Sequence, residues 1–244
     1  MPGTLFISDL HLDPARPAIT MLFHTFLARQ AGNADALYIL GDLFEAWVGD
    51  DDDSADNQAV CESLKKCALA GTPVFIMHGN RDFLLGERFA QNSGATLLDD
   101  PTVIDLYGRQ TLLMHGDTLC TDDTEYMAFR ARVRDPDWQA GLLARPLAER
   151  QAIALEMRQA SREQTGGKPE SIMDVNRDAV NDVMSRHGVT QLIHGHTHRP
   201  FVHNFDHAGK PARRIVLGDW YEQGSVLVCT ADECDLKQLP VNPG

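Results

Sequence analysis

An α/β layered architecture follows from two features of this 244-residue chain. Short, unbroken apolar runs recur along it, each followed by a polar cluster, and helix-like stretches lie between them. Runs of that length suit buried strands, which read as continuous instead of alternating. Strands alternating with helices give helices layered on sheet. Hydrophobic residues make up 43% and charged residues 23%, so disordered and fibrous classes drop out.

In chain order, "TLFISDLH" (4–11), "ALYILGD" (36–42), "PVFIMHGN" (73–80), "TLLMHGD" (111–117) and "QLIHGH" (191–196) each read as a strand running into a turn. Residues 17–30 open with Pro at a first-turn position and repeat apolar residues at helical spacing. Residues 56–70 and 171–187 have the same character. "RIVLGDW" (214–220) and "SVLVCT" (225–230) read as two further strands in a hairpin that closes a second sheet. Residues 121–170 break the rhythm with no strand signal and read as helices inserted into a single domain as a cap.

Net charge is −13, a poor match to a general nucleic-acid binder, which needs a basic face. Residues 126–168 differ, with eight Arg or Lys against five Asp or Glu. Apolar positions there (Phe129, Val133, Trp138, Leu142, Leu143, Leu147, Ile153) interleave with arginines, as suits a lipid bound beside an anionic membrane surface. Packing on the core is the plainer alternative. The five cysteines are odd in number and lack CxxC spacing, so reduced structural thiols are expected, as in the cytosol. The opening residues lack a basic leader, and no apolar stretch reaches the ~18–20 residues of a membrane span.

The polar residues fall just past the strand ends, where α/β sheets bind ligands. Asp9 and His11 follow the first run, Asp42 the second, Asn80 the third and His115 the fourth; His196 and His198 follow the fifth. Seven oxygen and nitrogen donors thus arise from five strand ends. Imidazole with carboxylate suits Mn, Fe, Zn, Co or Ni better than Mg or Ca. Seven ligands are too many for one catalytic ion with an open position, and they fit two ions sharing a carboxylate. His78 and His194 sit outside the series and read as hydrogen-bonded core histidines, while His24, His187, His203 and His207 read as surface or packing residues. Asp50–Asp53 reads as a solvated acidic loop, Asp82 and Asp117 as anchors for neighbouring ligands, and Trp47 and Trp220 as packing residues.

The ordered series DxH…GD…GN…H…GHxH resembles the calcineurin-like metallophosphoesterase superfamily over nearly the whole chain. The resemblance implies a four-layer αββα sandwich with two divalent metals. Asp9, His11 and His198 would hold one, Asn80, His115 and His196 the other, and Asp42 would bridge them. The superfamily often has GNH where this chain has "GNRD", so Arg81 replaces the usual acid catalyst. An arginine cannot donate a proton at neutral pH but clamps phosphate oxygens, which suits a leaving group that needs no protonation, such as a phosphate.

"LGDLFEAWVGDD", "HGNRDFLLG", "HGDTLCTDD" and "HGHTHRP" resemble the lipid A-pathway branch of that superfamily. This implies Mn²⁺-dependent hydrolysis of the pyrophosphate of UDP-2,3-diacylglucosamine, by a metal-bound hydroxide attacking the α-phosphorus. UMP and 2,3-diacylglucosamine 1-phosphate would be the products. Asp42, Asn80 and Arg81 would be catalytic, and substrate contacts are implied at Asn80, Arg81, Asp123, Ser161, Thr165, Lys168 and His196. A cytoplasmic monomer on the inner face of the inner membrane is expected, without nucleic acid. Another soluble nucleotide pyrophosphatase of the superfamily would keep the metal site and change the cap. A non-catalytic scaffold would tend to lose ligands, whereas all seven positions are filled.

Overall fold

The structure is a computed structural model that describes residues 3–165 and 172–241. Its strands are β1 (Thr4–Ile7), β2 (Ala36–Leu40), β3 (Val74–Met77), β4 (Thr96–Leu98), β5 (Thr102–Leu106), β6 (Arg109–Met114), β7 (Gln191–His194), β8 (Phe201–His207), β9 (Lys210–Val216), β10 (Gly224–Cys229) and β11 (Cys234–Leu239). They form a six-stranded sheet, β11-β10-β1-β2-β3-β4, and a five-stranded sheet, β5-β6-β7-β9-β8. β1 to β4 run parallel, as do β6, β7 and β9, and the remaining strands are antiparallel additions at the edges.

Side chains alternate across each strand and divide the core into three layers. Leu5 and Ile7 of β1, with Leu37 and Ile39 of β2, pack under the helices of the first sheet. Phe6 and Leu40 point the other way and meet Leu113, Ile193 and Ile215 of the second sheet. Leu112, Met114 and Leu192 face outward against the last helix. Helix, sheet, sheet and helix therefore stack in four layers, as the resemblance implied.

Helix α1 (Pro17–Arg29) buries Ile19, Leu22, Phe23, Phe26 and Leu27, a complete helical stripe. α2 (Ala55–Leu69) buries Val60, Cys61, Leu64 and Cys67, and α3 (Glu87–Ser93) follows β3. Three further helices are α4 (Thr124–Val133), α5 (Pro136–Leu143) and α6 (Leu147–Thr165), with Asp123 and Asp135 capping the first two. The last, α7 (Arg177–His187), starts later than the expected 171 because the Asn176 side chain accepts from the Asp178 and Ala179 amides and caps it there. Among the described residues, no helix is long and apolar enough to cross a membrane.

Four expectations need correction. β9 and β10 do not form a hairpin: β9 pairs with β7 and β8, whereas β10 pairs with β1 and β11. The chain crosses between the sheets, held by wholly buried Trp220, whose amide donates to Asp9 O and whose indole donates to Ser225 O. Cys229 and Cys234 are disulfide-bonded, because the β10–β11 register sets them directly opposite; Cys61, Cys67 and Cys120 are free and buried.

The Asp50–Asp53 run is more than a solvated loop. Asp50 accepts from the Trp47 indole and from the Gly86 and Phe89 amides at 3.0 Å each, and Asp51 pairs with Arg150. Finally, four of the basic residues of 126–168 point into the molecule and not toward a membrane. Arg130 binds Asp117, Arg134 donates to Gly79 O, Arg150 donates to Val48 O and Asp51, and Arg158 faces Asp13 and Glu45. These four arginines tie the α4–α6 segment to carboxylates and carbonyls of the core.

Candidate metal centre

The loops after β1, β2, β3, β6 and β7 carry all seven predicted donors to one place. Asp9, His11, Asp42, His196 and His198 adopt left-handed backbone with φ between 49° and 67°, unusual for non-glycine residues. The loops touch closely. A Cβ on Gly79 would collide with Asp42, and one on Gly195 with Ser8 and Asp9, so glycine is required before Asn80 and before His196.

The donors form two groups. His198 Nε2 is 3.4 Å from both Asp9 Oδ1 and His11 Nε2. Asn80 Oδ1 is 2.9 Å from His115 Nε2 and 3.0 Å from His196 Nδ1. Asp42 Oδ2 lies between, 3.7 Å from His11 Nε2 and 3.9 Å from His115 Nε2. Asp9–His11–His198 and Asp9–Asp42–His115 each present ligand atoms within 4.8 Å of one another.

Buried neighbours fix these groups. Asp9 Oδ2 accepts from Ser8 Oγ at 2.5 Å and from the His196 amide at 2.9 Å. Wholly buried Asp82 accepts from the Leu43 and Gly79 amides at 2.7 and 2.8 Å, tying the second and third loops together. His115 Nδ1 donates to Leu40 O at 2.9 Å, which leaves Nε2 a lone pair. Asp117 accepts from Tyr126 and Arg130 of α4 at 2.7 and 2.6 Å. Both predicted anchors thus have partners at the site.

The electrostatics fit a bound cation. Asp9 Oδ1 is buried and accepts no hydrogen bond. Burial works against charging His115, but Asp42, Asp117 and Asp9 outweigh it and lift its pKa to about 9. Burial would raise Asp9, yet its contacts with His198, His115 and His11 hold it well below the usual carboxylate range. His196 is pushed down to about 4, by burial first and then by His115. Carboxylates that force a proton onto a buried imidazole ask for positive charge, which divalent ions supply.

Sequence reasoning missed several neighbours. Glu45 Oε2 is 3.4 Å from His11 Nδ1, and Asp219 Oδ2 is 3.4 Å from His198 Nδ1. Tyr221 stacks on His11 at 5.3 Å, with the Arg16 guanidinium 4.8 Å from its ring centre. Glu45 stands three residues past Asp42 in the loop already singled out; Asp219 and Tyr221 follow a strand read as half of a hairpin. The non-ligand histidines behave as read: His78 bonds Leu85 O at 2.7 Å, and buried His194 bonds Gly195 O at 2.9 Å.

Two cavities open from the centre. One, of about 510 Å³, lies between the core and α4–α6, with Trp47, Phe83, Phe129, Leu142, Ile153 and Met157 in its wall beside Asn80 and Arg81. The other, of about 600 Å³, is lined by Asp13, Arg16, His198 and Tyr221, and both include Glu45, Arg81 and Ser161. Of the predicted substrate contacts, Asn80, Arg81, Asp123 and Ser161 line the first cavity, and His196 sits at the centre. Thr165 ends α6, its side chain outside the described residues, as is Lys168.

The chain belongs to the calcineurin-like phosphoesterase family, whose model matches residues 4–200. It is 59% identical over 239 residues to a UDP-2,3-diacylglucosamine hydrolase of Cellvibrio japonicus (strain Ueda107), covering 98% of this chain and 100% of the relative. It is 57% identical over 243 residues to the protein of the same name from Xanthomonas axonopodis pv. citri (strain 306), covering 97% and 98%.

Proposed function

We propose that this chain hydrolyses the pyrophosphate of UDP-2,3-diacylglucosamine, giving UMP and 2,3-diacylglucosamine 1-phosphate, in a dimetal-dependent reaction of lipid A biosynthesis. The observation that supports it best is the meeting of a seven-residue donor set with an apolar cavity of about 510 Å³ at Asn80 and Arg81. A lipid-linked pyrophosphate needs both at one point. The identity to hydrolases of that name over nearly the full chain supports the same substrate.

In this reading Asp9, His11 and His198 would hold one ion and Asn80, His115 and His196 the other, with Asp42 available to both and Mn²⁺ the expected metal. Such ions, when bound, lower the pKa of water and offset charge at phosphorus. The protein's own residues do the rest. The His115 Nδ1 bond to Leu40 O and the Asp82 anchor keep the donors aimed before substrate arrives. Arg81, next to Asn80 in the chain, lines both cavities, which suits its guanidinium to stabilise the equatorial oxygens of the scissile group. Water adds to the α-phosphorus and releases a proton to solvent, the bond to the bridging oxygen breaks, and the sugar 1-phosphate departs as a stable anion. No general acid is required, which accounts for arginine where relatives in the superfamily carry histidine.

Helices α4–α6, within the expected 121–170 insertion, act as a cap over the acyl chains. Asp123, Ser161, Thr165 and Lys168 are the proposed substrate contacts, with Asn80, Arg81 and His196. Leu143 and Leu155, exposed on α5 and α6, give the cap apolar contacts with the cytoplasmic face of the inner membrane. The chain acts as a monomer and not on nucleic acid.

The test is product formation by chelator-stripped protein with and without Mn²⁺, in ¹⁸O-labelled water. Metal-dependent release of UMP carrying the label is expected. Cleavage of a generic phosphodiester with the lipid left intact would point instead to another nucleotide pyrophosphatase of the family.

A further inference from the structure

We propose that the second cavity, beside Tyr221, seats the nucleotide half of the substrate and holds a nucleoside 5′-monophosphate after cleavage. This rests on the functional reading above. A pyrophosphate cut at the metal centre joins two halves that must extend away from it in different directions. The cavity under α4–α6, with Leu142, Ile153 and Met157 beside its aromatic residues, suits acyl chains. The second cavity, of about 600 Å³, shares Glu45, Arg81 and Ser161 with it and is otherwise lined by Asp13, Ala15, Arg16, His198 and Tyr221. Its size is that of a small-molecule site.

Its wall has the chemistry a nucleoside needs. Tyr221 is 45% exposed although it stacks on His11 and has the Arg16 guanidinium over its ring, so the aromatic surface these two leave uncovered lies at the mouth. Such a surface takes a flat base or the apolar side of a ribose. Asp13 accepts from the Ala15 amide through Oδ1 at 2.8 Å and meets Arg158 through Oδ2 at 3.4 Å. A carboxylate has about four lone-pair sites, so Asp13 keeps acceptors for ribose hydroxyls or a base N–H. Arg16 donates to the carbonyls of Leu10, His11 and Trp220 and lies against the Tyr221 ring. It locks the loop after β1 to the crossing after β9, so the wall is formed before a ligand arrives.

The test uses Mn²⁺-loaded protein and calorimetric titration with UMP and, separately, with 2,3-diacylglucosamine 1-phosphate. Tyr221→Ala removes the aromatic surface. Ala15→Trp adds bulk to the cavity wall at a residue that is not itself a candidate ligand. Bound manganese is measured for each, so metal lost through the Tyr221–His11 contact is seen directly. Both variants are expected to weaken UMP at least about tenfold and the lipid product less than about twofold. UMP affinity unchanged in both variants, or both products weakened alike, would overturn the assignment. If wild-type protein leaves UDP-2,3-diacylglucosamine uncut, the functional reading itself fails. If it cuts the lipid while UMP binding ignores both substitutions, only the subsite fails.

Discussion

Arg150→Met should loosen the α4–α6 segment while sparing the metal centre. Arg150 is 2% exposed, and its guanidinium donates to Val48 O at 2.5 Å, to Arg145 O at 3.0 Å and to Asp51 Oδ1 at 2.8 Å. Methionine keeps most of the stem and removes every donor. The Asp51 side chain is 57% exposed, so water replaces its lost partner and the ion pair itself contributes little. The cost lies mainly in the buried Val48 carbonyl left without a donor, about 1–3 kcal/mol. In a chain of this size that lowers Tm by roughly 2–12 °C. Differential scanning fluorimetry reads this, beside kinetics on the lipid substrate and on a small chromogenic phosphodiester. KM for the lipid should rise several-fold with the small substrate unaffected. A Tm within about 1 °C of wild type, or equal loss on both substrates, would refute the docking role.

Asp82→Asn leaves one of the amides of Gly79 and Leu43 without an acceptor, and Mn²⁺ affinity should fall about 10–100-fold in equilibrium dialysis. Arg81→Lys keeps a positive charge but loses the planar fork, so kcat should drop about 100-fold at saturating Mn²⁺ with KM little changed. Asp100 has no hydrogen-bond partner for either carboxylate oxygen, and burial first, then Asp117, lifts its pKa from 3.8 to about 6. A folded value above the unfolded one means stabilisation present below about pH 4 and lost as pH rises through about 6. Asp100→Asn should therefore gain on wild type between pH 4 and pH 7, by about 3 kcal/mol at most. Urea titrations showing a pH-independent gap would rule this out.

The parallel strands β1, β2, β3, β6 and β7 were legible because each is largely buried on both faces; short, partly exposed β4 was not. Phe6 and Ile7 face different core layers, so the run must be apolar throughout. The donors were legible because Asp, Asn and His just past such runs stand out. β8 was not, since Phe201 is 60% exposed on an edge strand and its neighbours are polar. The crossing after β9 escaped because strand pairing is a long-range property. Nothing local distinguishes a seven-residue hairpin loop from a passage between sheets. The same holds for Cys229 and Cys234, which meet only through the β10–β11 register. The basic character of 126–168 was visible, but the direction of its arginines depends on where Asp117, Asp51 and Asp13 come to lie.

Backbone conformation supplies evidence of a different kind. Among the described residues, seven non-glycine residues have left-handed φ: Asp9, His11, Asp42, Tyr107, His196, His198 and Ala208. Two have an ordinary explanation. Tyr107–Gly108 and Ala208–Gly209 are the two-residue connections of the β5–β6 and β8–β9 hairpins, where both central residues need positive φ. The other five are all candidate ligands, and each such conformation costs about 1 kcal/mol or more. Glycine would relieve that cost at every one of them and would remove a donor. Backbone hydrogen bonds from His11 to Asp42 O at 2.9 Å and from Trp220 to Asp9 O at 3.1 Å hold the turns against it. Strain of this kind persists only where something over-determines it. Here the packing forces five side chains toward one point, where they repel or share protons unless a cation sits among them.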